Sequence, residues 1–357
     1  MSHNHCLLAK LSASGLLLGL LVEGCTVGPK YRTPTPALAP FHNQVAVSVS
    51  NAVAAPPMDQ WWIGFNDPIL VTIVRRALDQ NLDLAATLTR VNQARAAAAG
   101  ACARLYPAGE LDASATAEHQ SLQSTLGTIA STVPTYRLNI HEYTIGPAAS
   151  WEIDLAGGLR HNAAATRDEV QAAEAERVGT RVIVASDAAD AYLQVRGYQA
   201  RLAIAQNQIA TDEPLLQLVK NRIAAGAGTE REAAQPEALV VQARSTVPLL
   251  RLSLEKQLNR LDVLMGAQPG TYAHELTAVA AIPSIPKIGN QEPTDVLRRR
   301  PDVIAAERRL AASNERIGVA LADYYPKLSL AGVLGFDSLN SGHLFSASKH
   351  SDLSNCA

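Results

Sequence analysis

Aromatic residues are scarce in this chain: Phe, Trp and Tyr make up 4% of 357 residues, although 47% of the chain is hydrophobic. Alanine supplies much of the apolar count. Few large rings are available to fill a bulky core, and the composition suits long helices packed at short distance. A charge of one sign is lacking too. Lys and Arg number 31 against 33 Asp and Glu, a formal net charge of −2, so the basic footprint of a nucleic-acid binder is absent. The four cysteines, Cys6, Cys25, Cys102 and Cys356, match no metal or redox spacing, and no disulfide framework is expected. A phosphate loop, a dinucleotide fingerprint, a nucleophile elbow and a zinc motif are all missing. No enzyme, cofactor or metal centre is expected. His3, His5 and Cys6 look metal-like but fall in a segment expected to be removed.

Long apolar runs are also absent, with one short exception. Leu11 to Val22 follows Lys10 and has signal-peptide length. It is too short to span a bilayer as a helix, which takes about 20 residues. Gly24-Cys25 follows at once, the cleavage and lipidation pattern of a bacterial lipoprotein, with residues 1–24 as signal and Cys25 as the acylated residue. Glu23 departs from that pattern, and an ordinary secretory signal with an incidental cysteine is the alternative. Acyl chains contribute about 0.8 kcal/mol per buried methylene, so a multiply acylated Cys25 would hold the chain on lipid. Any membrane crossing further along would have to use strands.

What the chain does contain is an internal repeat, at an offset of 219 residues. Asp83 pairs with Asp302, Ala86 with Ala305, Arg90 with Arg309, Ala101 with Ala320, Tyr106 with Tyr325, Pro107 with Pro326 and Leu111 with Leu330, without a gap. Each copy reads as a helix with an acid near its positive N-terminal end and a Tyr-Pro stop. A strand-like segment then begins.

Between the copies, Leu111–Glu118 and Tyr136–Leu155 read as two strands. Residues 120–135 between them are rich in Ser and Thr and read as an exposed loop. Tyr143, Ile145 and Trp151 fall on one strand face, as the outer face of a membrane barrel requires. Gly157-Gly158 ends the second strand. A helical pattern then runs from Leu159 to Ala225, with Val178, Val182, Ala185, Ala189 and Tyr192 at the 4-3-4-3 spacing of a coiled-coil seam. Gly226-Ala227-Gly228 reads as a turn and Thr229 as the cap of a return helix. That helix runs towards Met265, with Leu250, Leu254, Leu258 and Leu261 along one face. Pro214 and Pro248 lie in these helices and are expected to break or kink them, whereas Pro236 lies near enough to a helix start to be tolerated.

About 67 residues of helix extend roughly 100 Å, far beyond a compact domain. The return helix and the second-repeat helix together supply about 62 residues at the same rise. The chain would therefore come back near its starting level at Tyr325-Pro326. Pro283, Pro286, Pro293 and Pro301 break the pattern and would form an irregular belt around the shaft. The plainer reading is two amphipathic core helices of a globular domain.

Several segments resemble a known family. Cys25 to Arg32 (Cys-Thr-Val-Gly-Pro-Lys-Tyr-Arg) is similar to the mature start of outer-membrane factor lipoproteins, the TolC-like, NodT-type channels of resistance-nodulation-division efflux pumps. Trp61-Trp62, Phe65, Asp67, Pro68 and Leu70, then Asn81, Asp83, Leu84, Arg90 and Ala94-Arg95, resemble the family's opening helices. Ser150 to Leu155 (Ser-Trp-Glu-Ile-Asp-Leu) resembles its second strand entering the long helix. Arg298 to Val303, Ala306-Glu307 and Tyr325-Pro326 resemble its second-repeat entry. Together the matches span residues 20–335.

The resemblance implies a mainly α fold with a small β part: a long helical hairpin of a periplasmic α-barrel, plus strands of a shared trimeric outer-membrane β-barrel. It implies a homotrimer exporting drugs or other small molecules passively, with a periplasmic adaptor, an inner-membrane pump and outer-membrane lipid as partners, and no nucleic acid. Arg222, Gly226, Gly228 and Thr229 then fall at a hairpin tip facing the adaptor. The expected organisation is a signal (1–24), an anchored N-terminal segment (25–60), a first-repeat helix and girdle (61–105), a first β-hairpin (106–156), and a long helical hairpin (157–266). A girdle linker (267–301), a second-repeat helix (302–325) and the start of a second β-hairpin (326–357) complete it. Trp61-Trp62 is expected to pack in the girdle. Carboxylates on the shaft read as solvated faces, some lining the tunnel. A second copy of full length would run to about residue 484 at the repeat offset, so the chain reads as cut short, without its second long hairpin or gate residues. A non-conducting fragment, or a periplasmic coiled-coil adaptor-like lipoprotein without a pore, are the alternatives.

Overall fold

The computed structural model describes residues 26–34, 58–133, 137–285 and 293–345. Cys25 and the signal segment 1–24 lie outside them, as do Pro286, Cys356 and the rest of the tail from residue 346. A 3-10 segment, Met58–Phe65, leads into α1 (Pro68–Gln80) and α2 (Leu82–Ala103). There follow β1 (Ala108–His119), the short α3 (Thr125–Ala130), β2 (Asn139–Ile153), α4 (Gly158–Ala224) and α5 (Glu230–Leu264). After a 3-10 turn at Ala273–Leu276 come α6 (Pro293–Arg298), α7 (Pro301–Ala322), β3 (Leu328–Val333) and β4 (Phe336–Ser338). The fold is mainly helical with one small sheet, as the sequence implies.

The repeat is visible in the helices themselves. Both α2 and α7 have 22 residues, and their two ends are displaced by the same 219 positions. Tyr106-Pro107 and Tyr325-Pro326 each follow a turn that closes the helix, and a strand begins within two residues. Proline cannot continue the helix and biases the preceding tyrosine to extended backbone.

The described residues fall into two compact units, one within 1–33, 94–170 and 308–357, the other within 34–93 and 171–307. In the second unit the long hairpin is antiparallel. Arg260 bonds Asp187 at 2.8 Å and Asp190 at 3.3 Å, and Arg244 bonds Glu213 at 2.6 Å. Around the Arg260 pairs the two helices enclose a core of Val184, Ala188, Ala191, Tyr192 and Val195 with Leu258, Leu261 and Met265, closed by Leu70, Ile73, Val74 and Ala77 of α1 and by Trp62. Each large aliphatic side chain buried here contributes about 1.5–3 kcal/mol. Asp67 starts α1 by accepting from the backbone N–H of Ile69 (2.8 Å) and Leu70 (3.2 Å), with Pro68 as the first helical residue.

Two expectations are corrected here. Val178 and Val182 are about half exposed, at 51% and 52%, so the seam begins only at Val184 and Ala185. Register explains this. With Arg260 opposite Asp187, the end of α5 at Leu264 falls opposite about residue 183 of α4, and Val178 and Val182 lie beyond it. Nor do Pro214 and Pro248 end their helices; α4 and α5 run through them and through Pro236. Pro214 and Pro248 are exposed, as are Ala210 and Arg244 four residues earlier. At exposed positions water can serve the carbonyls that these prolines leave without a helical donor.

The first unit holds the sheet and the lower part of α4. β1 pairs antiparallel with β2 from Ala108↔Ser150 to His119↔Asn139. On its other edge β2 pairs with β3 (Trp151↔Leu330) and β4 (Ile145↔Phe336). The loop expected at 120–135 contains the short helix α3, capped by Ser124 on the Gly127 N–H at 3.0 Å. At the end of β2, Asp154 caps α4: its carboxylate accepts from the N–H of Leu159 (3.2 Å) and Arg160 (2.9 Å). The helical core here is nearly all alanine, with Ala98, Ala101, Ala163, Ala165, Ala311, Ala312 and Ala322 buried. Side chains this small let helix backbones approach closely.

Candidate functional site

At the tip of the hairpin, α4 stops because Gly226 takes φ +73°. The Ala227 N–H reaches back to the Arg222 carbonyl (2.9 Å) and the Gly226 N–H to the Ile223 carbonyl (2.9 Å). This is the Schellman pair, which satisfies carbonyls a helix end would otherwise leave bare. Arg222 adds a bond from its guanidinium to the Ala227 carbonyl at 3.2 Å. Gly228 follows, and a Cβ there would lie 3.3 Å from Ile223 Cγ1 and 3.4 Å from Glu232 Oε2. Thr229 has the extended backbone of a helix N-cap, but its hydroxyl donates to Glu232 Oε1 at 3.2 Å and accepts no backbone N–H. The tip is thus an exposed loop of small residues, Ala224 to Thr229, between Arg222 and Glu230.

The sheet has two chemically distinct faces. The register puts Leu111 opposite Pro147, Ala113 opposite Ile145 and Ala115 opposite Tyr143, and adds Trp151 with Leu330, Ile153 with Leu328 and Phe336 beside Ile145. The other face carries Glu110, Asp112, Ser114, Thr116, Glu118, Glu142, Thr144, Glu152 and Asp337, with Ser114 and Thr144 bonded at 2.5 Å across it. All of β1 is exposed. A sheet with one apolar and one polar face, both uncovered, can separate a lipid phase from water. Among the described residues no helix is long and apolar enough to cross a membrane.

The repeat-defining residues mark the ends of α2 and α7. Asp83 and Asp302 lie in the first turns. Arg90 and Arg309 are exposed on the two helices, and Tyr106, Pro107, Tyr325 and Pro326 are exposed at the strand entries. Asp302 pairs with Arg300 at 2.6 Å, which holds its carboxyl below the usual range.

Sequence reasoning missed a buried polar chain beneath Trp62. The Tyr192 hydroxyl donates to Asp67 Oδ2 at 2.5 Å and accepts from Arg196 Nε at 3.1 Å. Arg196 donates to Gln199 Oε1 (2.9 Å) and to the Ala278 carbonyl (2.7 Å), and the Gln199 amide donates to the Leu276 carbonyl. Burial, then the bond to Asp67, pushes the Tyr192 phenol up. Nearby, Asn81 caps α2 through Asp83 N (3.0 Å) and Leu84 N (3.1 Å) and donates to the Leu264 carbonyl at 3.0 Å. Asp262, 1% exposed, accepts from Gly270 N and Tyr272 N. These groups tie α1, α2, α4, α5 and the segment 270–278 together. Their chemistry is structural: every one is engaged within the chain. Among the described residues no group of three or more His, Cys, Asp or Glu is placed to hold a metal ion.

Comparison with known proteins gives one consistent result. The profile of the family described as "Outer membrane efflux protein" matches residues 73–267. Nodulation protein T of Rhizobium leguminosarum bv. trifolii is 30% identical over 314 residues, covering 88% of this chain and 64% of that protein. The pyoverdine export outer membrane protein OpmQ of Pseudomonas aeruginosa is 33% identical over 277 residues, covering 77% of this chain and 57% of that one. The chain thus spans under two thirds of the length of these relatives. Among solved structures, the outer-membrane channel OprN superposes with a TM-score of 0.80 at 32% identity, over 93% of this chain and 72% of that chain.

Proposed function

Since the chain belongs to the outer membrane efflux protein family, we propose that it is a protomer of an outer-membrane efflux channel, a passive exit for drugs or other small molecules. Three copies share one β-barrel and one helical tunnel. The strands within 106–156 and 326–357 enter the outer membrane, and the hairpin 157–266 extends into the periplasm. The tip at Arg222, Gly226, Gly228 and Thr229 meets a periplasmic adaptor, which links the channel to an inner-membrane pump. Cys25 carries the lipid anchor.

The observation that carries this reading is the division of the sheet into two faces. The face with Leu111, Ile145, Trp151 and Leu330 is suited to acyl chains, and the face with Glu110, Asp112, Glu142 and Glu152 to a water-filled lumen. The sheet runs directly into a helix of 67 residues, an element that a periplasmic tunnel requires. The exposed small-residue loop supports the tip assignment, because backbone there can be approached closely.

The test uses the whole chain with Cys25→Ser. The expected result is a heat-modifiable trimer that stays in outer membranes through urea or alkaline extraction and conducts in planar bilayers. Release of the C25S chain into the soluble fraction, without conductance, would overturn the reading in favour of a peripheral coiled-coil lipoprotein.

A further inference from the structure

The segment 26–34 has no element of its own, yet its first four residues, 26–29, are seated with little tolerance. The Val27 N–H donates to the Ala156 carbonyl at 3.1 Å. Asn314 Nδ2 of α7 donates to the Pro29 carbonyl at 2.9 Å. Gly28 adopts φ +145°, and a Cβ there would lie 2.9 Å from the Gly318 Cα and 3.4 Å from His161 Nε2. Gly318 has no room either: a Cβ on it would lie 2.7 Å from the His161 ring. Thr26 sits against Gly157 (φ +86°), whose added Cβ would come within 2.9 Å of Thr26 Cγ2.

Under this segment lies a cross-link between the start of α4 and the end of α7. His161 Nδ1 meets Glu315 Oε2 at 2.6 Å, both side chains being largely buried, and His161 Nε2 is buried without a partner. Arg316 bonds Glu169 at 2.8 Å and Arg308 lies 3.9 Å from Asp168. A Cβ on Gly158, the first residue of α4, would come 2.9 Å from Ala322 Cβ at the end of α7.

We propose that residues 26–34 are a brace, seated on Gly318 and the His161–Glu315 pair, that locks the junction where β2 enters α4 to the end of α7. The brace touches the junction at Ala156 and Gly157 and touches α7 at Asn314 and Gly318. Both elements therefore have to hold one relative position for it to sit. Three glycines, Gly28, Gly157 and Gly318, make the seat, and each would clash with the brace or its support if it carried a side chain. Resting on the channel reading, this makes the brace the part that fixes how the membrane strands leave the helices, next to the residue that would carry lipid.

The test needs no conductance, so it can fail independently of that reading. Gly28→Val changes the brace and leaves both helices as they are; Gly318→Leu fills the seat from below. In the full-length chain both are expected to speed tryptic cleavage after Lys30 and Arg32 at least tenfold, read as fragments beginning at Tyr31 and Thr33. Both should also raise hydrogen exchange at Gly158, Leu159 and Arg160, with helix content unchanged by circular dichroism. If G28V frees the segment while exchange at the junction stays at the wild-type rate, the segment is a passive tail and the brace is refuted. Unchanged cleavage in both variants would refute the seat.

Discussion

Arg196 is among the largest fully buried side chains, at 1% exposure. A guanidinium in such a place has to be surrounded by acceptors, since removing it from water costs several kcal/mol otherwise. Here two of those acceptors are neutral carbonyls and one is the Tyr192 hydroxyl, which passes its own proton towards Asp67. Tyr192→Phe should cost about 1–3 kcal/mol, because Asp67 and Arg196 each lose a buried partner. The same substitution should change the pH profile. The folded phenol titrates above its ordinary 10.0. Its contribution is therefore full below pH 10.0 and is lost as pH rises through the folded value. Denaturant unfolding of wild type and Y192F at neutral pH and above pH 10.0 checks both: the gap should narrow in alkali. An equal gap at both pH values would mean that the phenol titrates alike in the folded and unfolded chain. The sequence conceals this network because an arginine on a long polar helix reads as a solvated face. The available signal was its place, four residues after Tyr192 and beside Val195 on the buried stripe.

Comparison of α2 with α7 separates what a helix encodes from what its surroundings supply. Leu84, Val91 and Ala98 of α2 have Val303, Leu310 and Ile317 as their counterparts at the repeat offset. Val91 and Ala98 are buried at 2% and 9%, whereas Val303, Leu310 and Ile317 are 42%, 52% and 51% exposed. Val91→Asp should cost about 3 kcal/mol or more, because it buries an unpaired charge. Leu310→Asp should cost no more than about 0.5 kcal/mol in the monomeric chain. Urea unfolding of the two variants decides it, and equal losses would mean that the stripe on α7 is covered after all. The helices, their Tyr-Pro ends and the glycine turn at the tip were legible because those signals are local. Gly226 can take the positive φ that ends α4 without the steric cost a side chain would add, and Pro107 and Pro326 cannot continue a helix. The exposure of Val178 and Val182 was not legible. It depends on where α5 ends opposite α4, a register that no single helix encodes. The persistence of α4 through Pro214 depended likewise on a solvent-facing position that the residue type does not reveal.

On the channel reading proposed above, the two faces of the sheet set which substitutions matter. Neighbouring residues Ala113 and Ser114 point to opposite faces. Ala113→Arg is expected to cost about 2–4 kcal/mol of membrane insertion if its depth is near the bilayer middle, whereas Ser114→Arg points into water. Outer-membrane fractionation with heat-modifiability should lose the A113R trimer and keep the S114R trimer. The reverse pattern would assign the faces wrongly. Sequence alternation indicated this division only in part, because Ala and Gly in β1 and β2 carry a weak apolar signal. The cross-strand register made it plain by setting Leu111 against Pro147 and Asp112 against Gly146.

Among the described residues, the far rims of β1 and of β3 and β4 pair with no further strand. Those rims present rows of unspent peptide donors and acceptors, and such rows recruit an extended chain that meets them. On the channel reading proposed above, the chains they are built to recruit are neighbouring copies.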